Sequence, residues 1–209
     1  MKKTMDKLLN KIKINKKIFV FLLVLSTVAL ISGSILVVML DKTDKTTITS
    51  YLNEFITNIE QNKIEYIGVF KSTLITNIFL VLSIWLLGIS VIGLPIIVFL
   101  YFAQIFTFGF ALASIILKFK LKGTIFAFIY TFPSYLIYIF VLLILTSYAL
   151  LLSLKFINTI LKKKQIDFKP IFNRYGLILV ISLIITCITS LYEVFVFPNI
   201  IKLIVPILK

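Results

Sequence analysis

Histidine is absent from the 209 residues, cysteine and arginine occur once each, and Asp and Glu together number only 8. Without an imidazole there is no zinc-type protease and no serine or cysteine mechanism that uses a histidine base. A lone Cys187 allows no internal disulfide and no cysteine metal site. Paired carboxylates, which acid–base hydrolysis of sugars needs, are missing around Glu193, the one acid inside an apolar run. The chain is therefore expected not to be an enzyme and to carry no cofactor and no catalytic or metal-binding residues.

What is present is apolar. Hydrophobic residues make up 60% of the chain and mean hydropathy is +1.11, far above the roughly 45–50% apolar content of a soluble domain. Runs long enough to cross a bilayer core of about 30 Å recur after residue 17. The expected fold is an all-α membrane protein, a polytopic bundle of about five transmembrane helices with one external amphipathic helix. The 22 Lys+Arg against 8 Asp+Glu sit mostly between the apolar runs, where lysine sets topology and meets anionic lipid. Phosphate and base readout favour arginine forks, so the expected partner is the lipid bilayer and not nucleic acid.

Residues 1–17 form a basic amino terminus, cytoplasmic by the positive-inside rule, and 18–40 a first span too long for a signal-peptide core. Residues 41–73 form an extracytoplasmic amphipathic segment. Within it Ile48, Tyr51, Leu52, Phe55, Ile56 and Ile59 recur at helical spacing. That stripe either binds a partner or lies on the protein's own membrane and helices. The membrane core occupies 74–209. It opens with a charge-free run of 44 residues from Leu74 to Leu117, long enough for two crossings, which Gly88, Gly93 and Pro95 break by a hairpin turn or a re-entrant loop. Lys118, Lys120 and Lys122 mark the next turn. Pro133 divides the apolar stretch from Thr124 to Leu154 by a kink or by ending a short first piece. The basic loop 155–174 is expected in the cytoplasm. A last span from about Tyr175 to Phe197 ends at Pro198 and leaves a short outside tail.

Glu193 lies late in that last span, and an intramembrane ionisable group is a functional candidate by default. The competing reading is an interfacial carboxylate at a helix end. Asn77 and Gln104 offer interhelical hydrogen bonds, while Ala29-x-x-x-Gly33 and Gly109-x-x-x-Ala113 offer small faces for close helix approach.

The run Leu86-Leu-Gly-Ile-Ser-Val-Ile-Gly-Leu-Pro-Ile-Ile-Val-Phe-Leu-Tyr-Phe102 resembles the central signature of the stage II sporulation protein M family. The basic amino terminus with one span, Tyr51-Leu-Asn-Glu-Phe55, the Pro133 segment, the basic loop and Tyr192-Glu-Val-Phe-Val-Phe-Pro198 agree with it in order. The resemblance implies a non-catalytic scaffold of forespore engulfment, in the mother-cell membrane at the sporulation septum. Its implied partners are stage II sporulation protein P, a peptidoglycan amidase and endopeptidase, and through it protein D, a lytic transglycosylase. Gly88, Gly93, Pro95, Pro133 and Pro198 are then helix-break or helix-contact positions. A transporter or permease subunit is the alternative, favoured by a re-entrant Gly93 to Pro95 and a buried Glu193.

Overall fold

The structure is a computed structural model that describes residues 15–63, 65–131, 134–162 and 169–208. Asn15 opens helix α1 (Lys16–Met39): its side chain accepts from the Lys17 amide at 3.0 Å, satisfying one of the N–H groups that a helix start leaves without an intrahelical partner. The helix is apolar on every side, as a membrane span is. The polar segment that follows folds as α2 (Lys42–Glu60), with Asp44 in its first turn complementing the helix dipole. Its end is a Schellman turn built on Asn62 in the left-handed region at φ 55°. The Asn62 amide donates to Ile59 O at 3.3 Å and the Lys63 amide to Asn58 O at 2.9 Å.

Helices α3 (Tyr66–Gly88) and α4 (Gly93–Thr131) join through a four-residue turn, residues 89–92. Each carries an apolar stretch long enough to cross a membrane, so Gly93 to Pro95 is a hairpin and not a re-entrant loop. Leu94 is helical, because Pro95 falls in the first turn of α4, where its missing N–H costs no intrahelical bond. Gly93 has no positive φ; it is required for space, since a Cβ there would overlap Leu87 O.

Helix α4 breaks at Lys120 (φ 52°, ψ −130°) and the chain folds back. Gly123 lets this reversal close, with its Cβ position only 2.8 Å from Ile115 O, and Phe126 packs edge-on to Phe119. The apolar stretch from Thr124 therefore begins with a short helical piece, the second of the two readings of this stretch, whose Phe126 and Ala127 are buried beside the end of α4. Pro133 lies outside the described residues, as do the amino-terminal residues 1–14 and part of the basic loop, 163–168.

The next span is α5 (Ser134–Lys162), the central helix: 67% of its spanning window is buried, against at most 33% in the other four. The last is α6 (Lys169–Leu191), continued through a π turn (Tyr192–Val196) into α7 (Phe197–Leu208). Here too the expectation is corrected, because Pro198 does not end the helix and the tail is helical. The π turn, closed by the Phe197 amide on Tyr192 O, widens the ladder just where the proline ring would meet the preceding turn.

No strand occurs among the described residues, and five helices are long and apolar enough to span a membrane. The protein is an all-α, multi-pass membrane protein. The most extensive helix pair is α1 with α4. They run parallel, as Ser26 Oγ meets Tyr101 OH at 2.6 Å and, eight residues on, Ser34 Oγ donates to Gly109 O at 3.2 Å. Both small-residue faces lie in this seam, where a Cβ on Gly33 would overlap Phe106 O and one on Gly109 would overlap Leu30 O. Around α5, α3 and α6 are antiparallel, tied by Asn77 to Ser190 at one end and Trp85 to Tyr175 at the other.

A second, smaller core sits at the α2 end. Ile56 and Ile59 of α2 are buried with Ile115, Phe126, Phe197 and Ile201. Gly33→Ala should destabilise the protein by about 1–3 kcal/mol, the usual cost of overpacking, because the atom it strikes is backbone. Gly176→Ala, where nothing lies within 4 Å of the new carbon, should leave the thermal midpoint unchanged or raise it. Equal behaviour of the two variants would refute backbone contact between α1 and α4.

Candidate functional site

Three helices each place a pair of polar side chains on one face. Thr73 and Asn77 stand four apart on α3, Tyr135 and Tyr138 three apart on α5, and Thr189 and Glu193 four apart on α6 and its π turn. Together with Ser134 they line a cavity of about 120 Å³ near the α2 end of the bundle. No Lys or Arg lines it among the described residues.

Its walls are held by neighbours. Tyr135 stacks on Phe108 with ring centroids 4.3 Å apart and accepts from Gln104 Nε2 at 3.3 Å. Tyr138 stands edge-on to Tyr135 and is 4% exposed. Asn77 donates its Nδ2 to Ser190 Oγ at 3.2 Å. Thr189 directs its hydroxyl proton to the carbonyls of Ile185 and Thr186 at 3.0 and 3.1 Å. Glu193 stands in the π turn, a local widening often found at functional sites.

Thr73 and Glu193 also border a second space of about 400 Å³, lined by Phe55 and Asn58 of α2, by Lys63, Glu65 and Val69, and by Val194, Phe197 and Pro198. A third, of about 350 Å³, lies between α2 and α4 and is almost wholly apolar; Ile48, Tyr51, Leu52 and Phe55 form its α2 wall.

The stripe on α2 is thus divided. Ile56 and Ile59 are covered by the protein's own helices and drop out of any face available to a partner, because helical spacing turns them with Leu52 towards the bundle. Tyr51, 68% exposed, and Phe55, 43% exposed, stand on the other flank. Ile48 is half-buried between them.

A model of the family described as stage II sporulation protein M matches residues 18–198. The chain belongs to this family. It is a sporulation-related membrane protein. No curated protein and no solved structure matches the chain.

The two segments on which the resemblance rests, 86–102 and 192–198, begin at opposite ends of the bundle. At one end Gly88 admits Tyr175, whose hydroxyl donates to Trp85 O at 2.8 Å, and a Cβ on Gly88 would lie 2.9 Å from Ala149 Cα. Ser153 Oγ donates to Ser90 O at 3.0 Å and ties α5 to the hairpin. Glu193 and Pro198 stand at the opposite end, Glu193 in the polar cavity and Pro198 on the larger space beside it. Thr73, Ser134, Tyr135, Tyr138 and Thr189 were not singled out as site residues from the sequence. Their one signal is the three- or four-residue spacing of polar groups within otherwise apolar helices.

The two ends should face opposite sides of the membrane. In a Cys187→Ser background, Thr57→Cys should react with a membrane-impermeant maleimide added to intact cells, whereas Ser90→Cys should react only after permeabilisation. Labelling of Ser90→Cys from outside would reverse the orientation.

Proposed function

We propose that this stage II sporulation protein M family member is a non-catalytic anchor of the engulfment machinery, in the mother-cell membrane at the sporulation septum. In this reading it holds stage II sporulation protein P, and through it protein D, where peptidoglycan is remodelled. The observation that carries the reading is the state of α2: fixed to the bundle through Leu52, Ile56 and Ile59, yet presenting Tyr51 and Phe55 beside an apolar space. Aromatic side chains flanking an apolar pocket are typical anchors of protein interfaces. A rigid support lowers the ordering cost of binding. Tethering then raises the partner's effective concentration at one membrane site without any chemistry of the anchor's own. The transporter reading loses one of its two supports, since Gly93 to Pro95 is a hairpin between full-length helices.

The test is an affinity pull-down of the tagged protein from gently solubilised membranes of sporulating cells. Tyr51→Ser with Phe55→Ser should cut recovery of a peptidoglycan amidase by about tenfold or more, the equivalent of about 1.4 kcal/mol, with normal membrane insertion. Undiminished recovery from the double variant would remove α2 as the docking surface, and absence of any wall hydrolase would remove the anchoring role.

A further inference from the structure

The polar cavity has a chemistry that anchoring does not use. Every described residue lining it carries a side-chain oxygen, and at Thr189 and Asn77 the hydrogen bonds leave that oxygen able to accept. Thr189 has given its proton to backbone carbonyls, and Asn77 has committed its Nδ2 to Ser190. Tyr138 OH, on a side chain only 4% exposed, lines the cavity and meets no hydrogen-bond partner among the described residues. A buried hydroxyl without a partner is costly. Glu193 is the one carboxylate among the described residues lining it, and the basic group Lys63 lines the adjoining space beside α2 and not this cavity.

Charge and size narrow the ligand. An anion would meet the carboxylate and find no cationic donor. A drug-sized organic molecule needs about 300–1,000 Å³, well above the roughly 120 Å³ present. Ca²⁺ sites draw on several carboxylates and carbonyls, and no cluster of three acidic, cysteine or histidine side chains occurs among the described residues. Hard oxygen donors in number, with one negative charge, suit a small hard cation of charge +1.

We propose that Glu193, Tyr138 and the hydroxyls around them bind an alkali-metal cation, Na⁺ or K⁺, reached through the larger space beside α2 that shares Thr73 and Glu193. The bound ion joins α3, α5 and the π turn of α6 at one point. It stabilises the end of the bundle on which α2 rests. The site is independent of what docks on Tyr51 and Phe55, and its failure would leave the anchoring role untouched.

The test uses the full-length protein in lipid nanodiscs. Its thermal midpoint is followed as NaCl or KCl replaces choline chloride at constant ionic strength. A ligand at ten times its Kd should raise the midpoint by about 3–6 °C for a protein of this size. The rise should saturate, vanish in Glu193→Gln and in Tyr138→Phe, and persist in Glu54→Gln, whose carboxylate is exposed on α2. Tyr138→Phe keeps the aromatic contact and removes one oxygen, so it reads the site even where Glu193→Gln fails to fold. Excess ²³Na or ³⁹K line broadening by the wild-type protein, lost in Tyr138→Phe, would support the site directly. Identical midpoints in choline and alkali salts, or a rise that survives Tyr138→Phe, would overturn it and leave a cavity filled by water.

Discussion

In lipid, helices gain nothing from hiding apolar surface from one another, so close packing and interhelical hydrogen bonds must supply the cohesion. Gly33 and Gly109 meet that constraint by letting α1 and α4 approach backbone to backbone, and Ser26–Tyr101 and Ser34–Gly109 O add polar contacts along the same seam. Larger side chains would hold the two helices apart and weaken every dispersion contact between them. What lies beyond depends on this pairing. The end of α4 supplies Ile115 and, after the reversal at Lys120, Phe126, the surfaces on which α2 and α7 settle.

The two ends of the bundle are built differently. Around Gly88, Tyr175 and Ser153 the contacts are tight and reach backbone carbonyls directly, which fixes the hairpin between α3 and α4 to α5 and α6. Around Glu193 the helices part and leave space lined by hydroxyls. Polar groups inside a membrane protein are tolerated where they face protein or a cavity instead of lipid, and both ends satisfy that rule, one by direct bonds and the other by a cavity. The looser end is also the one on which α2 rests.

Much of this was legible in the residues. Length and lack of charge marked the spans, because a bilayer imposes both. The small-residue faces of α1 and α4 did meet, although spacing alone could not say with which partner. Boundaries were harder, since periodicity cannot distinguish an apolar surface facing lipid from one facing protein. For residues 124–131 the pattern left open a kinked crossing or a short separate piece, and it is the burial of Phe126 and Ala127 in the small core beside α2 that decides for the second. Pro198 read as a terminus because the compensating π turn has no signature in composition. Glu193 stood out by its charge, but its neighbours Asn77 and Tyr138 lie far off in the chain, and only the parallel run of α3 and α5 with α6 opposed to both brings them together.

The parallel pairing of α1 with α4 bears on how the protein is made. Contacting residues in that seam are separated by 75 positions. At about 5–20 residues per second, a ribosome takes roughly 4–15 s to deliver the partner after the first helix has emerged. For that interval α1 sits in the bilayer with its glycine face unmatched while α2 and α3 are still being synthesised. Its early residence in the membrane is a matter of hydropathy alone, and its place in the bundle is assigned only when Gly109 arrives.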